Sequence, residues 1–425
     1  MSGCGCNKPS PEALSQAVLG ACQGTGPRRP ADCGAGESCG SKLPGGGVFE
    51  RFDHMIENCL EHASVEAAAG RPVVGILCEF TPRELILAAD AVPVCLCGGS
   101  LETSQAAEAV LPAGVCPLIK STFGYHLAQT NPFIEMASLI VAETTCDGKK
   151  KMYELLARTR PVHVMELPQK PDDPAAMQHW KQELAQLRSE LERRFHTRIT
   201  DAKLRDAIAL MNRERALRRR LAALMHRDRP PITGRQLLAL KSSISGIDAD
   251  LAAYEAICQQ FETAAPDAAG PAPVRVLLTG VPVVHGAERV VDLIEQTGGL
   301  IVAMENCTGV KPIVDDVRTD LDPLDALAEK YFHLPCSVMT PNTRRLDLLR
   351  QLARDARPQC VVDLVWQGCL TYDIESTLIK QLAEDELGLP YLRIVTDYAP
   401  ADSSRIAVRL EALFETVAAA GATIH

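Results

Sequence analysis

Cys78 ends the apolar run of GILCEFTPREL, Cys116 sits in GVCPLIKSTFG, and Cys146 closes LIVAETTCDGKKKM. The second half of the chain echoes them with Cys307 in MENCTG, Cys336 in HLPCSVMTPN and Cys369 in LVWQGC. Thiolates are soft ligands that hold zinc or iron–sulfur clusters. Structural zinc takes closely spaced pairs such as C-x-x-C, and none of the six has that spacing. Wide separation suits a larger inorganic group gripped between two halves of a protein. The pattern therefore points to iron–sulfur redox chemistry, with zinc the poorer fit.

The other cysteines read differently. The chain holds 16 cysteines in 425 residues. No basic-then-apolar leader opens it, and no apolar run approaches the ~20 residues of a membrane span. A cytoplasmic protein is expected, where stable disulfides are rare and clustered thiols mean metal or redox chemistry. Cys4, Cys6, Cys22, Cys33 and Cys39 lie in a Gly- and Pro-rich extension, residues 1–47, whose spacings match no zinc or ferredoxin pattern. Cys59, Cys258 and Cys360 fall on apolar helix faces or a strand start and read as small core residues. Cys95 and Cys97, at the end of VPVCLC, stay open between core and ligand. His126, His285 and His333 are near proposed ligands or strand ends in sequence. Net charge is −10 and aromatic residues make up 4%, which argues against nucleic acid as the partner. The basic stretch Arg213 to Arg235 is interleaved with leucine and reads as a solvated helix face. G-x-x-x-x-G-K-[ST], G-x-G-x-x-G and H-E-x-x-H are all missing, so no ATP hydrolysis by this chain is expected.

The elements that position the six cysteines alternate. A helix is expected over 49–69, with Phe52, Ile56, Leu60 and Ala63 on its inner face. Short apolar runs at 73–77, 92–96 and 138–142 read as buried parallel strands, with a helix starting at Thr81-Pro82. Residues 171–270 change to charged, helical periodicity (Trp180, Leu184, Leu187, Leu191, Phe195), broken at Pro230-Pro231. From Pro271 the strand pattern returns at 274–278, 300–304, 361–365 and 392–395, with helices at 286–297 and 402–420. The expected fold is α/β: two doubly wound α/β domains (48–170 and 271–425), a helical insertion between them, and the Cys/Gly-rich extension in front. Doubly wound sheets bind ligands outside the carboxyl ends of their strands, where Cys78, Cys146, Cys307 and Cys369 fall.

The segments CEFTPRELILAADAVPV, CPLIKSTFGY and TTCDGKKKMYELL, in this order, resemble the 2-hydroxyacyl-CoA dehydratase and benzoyl-CoA reductase subunit superfamily. The resemblance runs from Phe49 to the C-terminus. It implies two α/β domains with an iron–sulfur cluster in their cleft, commonly one [4Fe-4S] cubane on three cysteines. Six candidates are more similar to the double-cubane branch, in which Cys78, Cys116, Cys146, Cys307, Cys336 and Cys369 would hold an [8Fe-9S] cluster. That branch implies a cytoplasmic homodimer, reduced by a separate ATP-hydrolysing iron–sulfur activator and passing electrons to a small molecule. The alternative is a single-cubane subunit acting on CoA thioesters. Helix starts at Pro82 and Lys120 are expected to face the cluster and offset its negative charge.

Overall fold

The structure, a computed structural model, describes residues 47, 49–263 and 272–422. The five cysteines from Cys4 to Cys39 lie outside the described residues. Strands β1 (Val73–Ile76), β2 (Val92–Cys95), β3 (Ala137–Glu143) and β4 (Val162–Met165) form one parallel sheet in the order β2-β1-β3-β4. Strands β5 (Val274–Gly280), β6 (Gly299–Glu305), β7 (Cys360–Trp366) and β8 (Tyr391–Thr396) form a second, ordered β6-β5-β7-β8. The two orders are the same. In each, the chain steps outward from the first strand, then returns to lay the third on its other side. That reversal opens a crevice at the carboxyl ends of β1 and β3, and of β5 and β7.

The central strands are buried along nearly their whole length, as parallel sheets covered on both faces require. All seven residues of β7 are buried. The two α/β units and the architectural repeat match the sequence expectation. β4 escaped it: VHVM is largely half-buried or exposed, and His163 interrupts its apolar run. The first helix also differs. It breaks at His54 into Glu50–Asp53 and Met55–Ala68, and its buried residues are Phe52, Met55, Cys59 and Ala63. Ile56 is exposed, because the break rotates the inner face by one position.

Between the sheets run the helices Pro174–Phe195, Asp201–Leu224, Gly234–Ala239 and Asp248–Glu262. Trp180, Leu184, Leu187 and Leu191 are wholly buried, the i, i+4, i+7, i+11 spacing of one helix face. The Trp180 ring lies 6.4 Å from Phe80 and 6.5 Å from Phe332, so it ties this segment to both α/β units. The basic stretch is not simply solvated. Arg215 is buried and pairs with Glu84; Tyr331 Oη donates to the same carboxylate at 2.7 Å. Arg219 and Arg220 pair with Asp316 and with Glu255 and Glu262. Cys59, Cys258 and Cys360 are buried as expected. Among the described residues, no helix is long and apolar enough to cross a membrane.

Candidate metal centre

Each ligand candidate follows from a local element. Cys78 stands two residues past β1 and Cys307 two past β6. Cys146 and Cys369 stand three past β3 and β7, equivalent places in the two sheets. Cys146, Cys369 and Cys116 are the N-cap residues of the helices Asp147–Leu156, Leu370–Gln381 and Pro117–Ala128, and no side chain caps any of the three. Each of these helix starts therefore keeps N–H groups without an intrahelical partner beside a thiol, at the end of the dipole that favours negative charge. Pro117 at the first helical position fixes the backbone there.

All six cysteines line one cleft between the two α/β units, with a volume of about 850 Å³. Within it they fall into two neighbouring groups: Cys78 with Cys307 and Cys336, and Cys116 with Cys146 and Cys369. Each group draws from both units, although the sequence divides the six three and three by domain. Gly368 makes one of these crossings possible. Its φ is +80°, and a Cβ there would lie 2.3 Å from the carbonyl oxygen of Gly114, so the Cys369 loop rests on the Cys116 loop with no room for a side chain.

Burial works against the thiolates of Cys78, Cys146 and Cys307. It pushes Cys78 well up, with Lys149 opposing, raises Cys146, and takes Cys307 to about 11. The Cys369 thiol rises because Cys116 leans on it, then through burial; Cys116 moves down for the same contact. The helix-start amides of Leu118 and Ile119 also favour the Cys116 thiolate. A cationic centre shared among these sulfurs would offset the desolvation.

The surrounding polar groups are arranged to match. Lys149 Nζ donates to Leu77 O at 2.6 Å. Burial opposes its charge, yet Tyr153, Cys78, Cys97 and Cys146 together raise its pKa. Lys241 Nζ donates to Glu79 at 2.9 Å and to Cys307 O at 2.8 Å. On the other unit, Lys311 is 3.1 Å from Glu305 and donates to Tyr372 Oη at 2.8 Å, while Arg345 bonds Glu305 and Thr279. Glu143, at the end of β3, accepts from the Thr81 hydroxyl. Burial pushes its carboxyl up to about 8.

The donor set fits a cluster better than a single ion. Among the described residues, no histidine lines the cleft, and no three His, Cys, Asp or Glu side chains gather closely enough to hold one metal ion. Six thiols spaced around a large void suit a group with several metal atoms, each meeting one sulfur. Other expectations fare differently. His126 bonds Thr159 at 2.8 Å away from the cleft, His285 shares a hydrogen bond with Lys241 O at 3.2 Å, and His333 does not line the cleft. Lys120 is turned away, donating to Glu108 at 2.6 Å and Ala113 O at 3.0 Å. Pro82 starts a helix of six residues that does not line the cleft. Lys149, which does line it, escaped notice within the run Lys149–Lys151; only its placement one helical turn after Cys146 hinted at a role.

The model of the 2-hydroxyglutaryl-CoA dehydratase D-component family matches residues 78–417, beginning at Cys78 itself. The chain belongs to this family. An Escherichia coli (strain K12) protein named as a dehydratase subunit, YjiM, is 40% identical over 378 residues, covering 87% of this chain and 97% of that protein. The (R)-phenyllactyl-CoA dehydratase beta subunit of Clostridium sporogenes is 23% identical over 382 residues, 87% of this chain and 98% of that one. A benzoyl-CoA reductase subunit of Thauera aromatica is 28% identical over 157 residues, 36% of this chain and 40% of that protein. The resemblance carried by CEFTPREL and TTCDGKKKM is thereby established at the level of the dehydratase and reductase subunit superfamily.

Proposed function

We propose that this family member is the electron-storing component of an ATP-dependent, low-potential reductase. In this reading Cys78, Cys116, Cys146, Cys307, Cys336 and Cys369 hold a double-cubane [8Fe-9S] cluster. The observation that carries it is the lining of a single cleft by all six thiols, in two groups of three. Each group of three thiolates would hold one of the two cubanes. When bound, such a cluster supplies low-potential electrons one at a time. The chain's own part is to offset its charge, through three helix N-termini, the half-buried Lys149 and the buried Lys311. With no phosphate loop in the chain, ATP hydrolysis belongs to a separate iron–sulfur activator. The reading includes a cytoplasmic homodimer and a small-molecule substrate.

A second reading has its own support in the names of the relatives: a single [4Fe-4S] subunit of a 2-hydroxyacyl-CoA dehydratase or benzoyl-CoA reductase. Iron analysis of anaerobically prepared C307S and C336S variants separates the two. The double-cubane reading expects both to lose roughly half or more of their iron, while the single-cubane reading expects both to keep it. Turnover with activator, ATP and either small reducible molecules or 2-hydroxyacyl-CoA then distinguishes reductase from lyase.

A further inference from the structure

A smaller chamber of about 80 Å³ adjoins the cleft. Cys78, Cys307 and Lys149 line both spaces, so the two meet at these side chains. The chamber's exposed surface is mostly apolar, Val284 contributing, with Glu79, Arg83, Lys241 and His285 also at its wall, and it holds two thiols that the six-cysteine cleft does not use: Cys95 and Cys97. Cys95 ends β2, and Cys97 stands two residues on, the place that Cys307 holds after β6. Cys97 Sγ donates to Leu77 O at 3.5 Å. Neither thiol is sealed in the core.

We propose that this chamber, rather than the open cleft, receives the molecule to be reduced, and that the molecule carries only a few heavy atoms. The inference rests on the cluster reading above. A water-sized group needs about 10–15 Å³ of such space, so the chamber accepts roughly five to eight such groups. A CoA thioester is far too large for it. A ligand there touches Cys78 and Cys307 from behind, across two of the sulfurs proposed to carry the cluster, which gives electrons a short path. Hydroxylamine is a suitable probe: it takes two electrons through the reduced protein and two protons from water, its N–O bond breaks, and ammonia and water leave.

The test uses the full-length, iron-loaded chain, reduced with titanium(III) citrate. Methyl methanethiosulfonate is expected to methylthiolate Cys95 or Cys97, located by mass spectrometry, with benzyl methanethiosulfonate slower by roughly tenfold or more. The methylthiolated protein is expected to keep its iron and lose roughly tenfold or more of its ammonium formation, and Val284→Phe, which fills the chamber, to do the same. Equal labelling by both reagents would show an open space and overturn the proposal. So would full ammonium formation in the methylthiolated protein. Methylthiolation of the natural chain keeps the test decisive if Val284→Phe does not fold. A preparation without iron, seen by metal analysis before any labelling, defeats the cluster reading itself and this proposal with it.

Discussion

Glu143 shows how strongly burial next to the cleft acts on a single residue. Its side chain is fully buried, and one carboxylate oxygen has no partner among the described residues. Burial lifts its pKa from 4.5 to about 8. Between those values the folded chain holds a proton that the unfolded chain releases, so stability is full below about pH 4.5 and declines as pH rises towards 8. Urea unfolding of metal-free protein at pH 5 and pH 8 should show this decline, on the order of a few kcal/mol, and Glu143→Gln should largely abolish it. Parallel losses in both proteins would contradict the assignment. The sequence made the six thiols legible because each ends an apolar run or flanks a proline. It could not show Glu143 or Lys149, since a charged residue at a strand end or in a helix's first turn is ordinarily exposed, and only tertiary packing brings them against Thr81 and Leu77.

Helix starts and tight loops, as elements, do the positioning. Three of the six thiols are N-cap residues, a relation readable from proline or aspartate directly after Cys116 and Cys146. Cys369 gave no such sign, because Leu370 and Thr371 carry no helix-start signature. The close approach of its loop to Gly114 was equally silent, since it joins residues some 250 positions apart in sequence. Gly368→Ala puts a side chain against a backbone oxygen at a positive φ, which costs about 1–2 kcal/mol for the dihedral alone. It should lower Tm and, by separating Cys116 from Cys369, lower the iron retained per chain. A variant with unchanged Tm and full iron content would show that the approach of these loops is not needed.

At the scale of the molecule, the two sheets hold the same strand order, and the helical segment braces them. That two-part architecture was legible because β-rich runs end at cysteines in both halves, with charged helical periodicity between. β4 was lost because His163 interrupts its apolar run, and the grouping of the thiols across the cleft had no trace in their order along the chain. Trp180 is the clearest brace, wholly buried between Phe80 and Phe332. Trp180→Ala should cost about 3–5 kcal/mol of stability in chemical denaturation. Because Phe80 follows Cys78 closely and Phe332 precedes Cys336, that loss should be accompanied by weaker iron retention; a loss under about 1 kcal/mol would mean that the units are held together elsewhere.

The convergence of six thiols on one void is tested most directly by iron and acid-labile sulfide analysis of the anaerobically purified chain. Occupation by a double cubane should give about eight irons and nine sulfides per chain, falling in each of the six single Cys→Ser variants. Four irons per chain, held without Cys307 and Cys336, or a colourless protein carrying zinc, would contradict it.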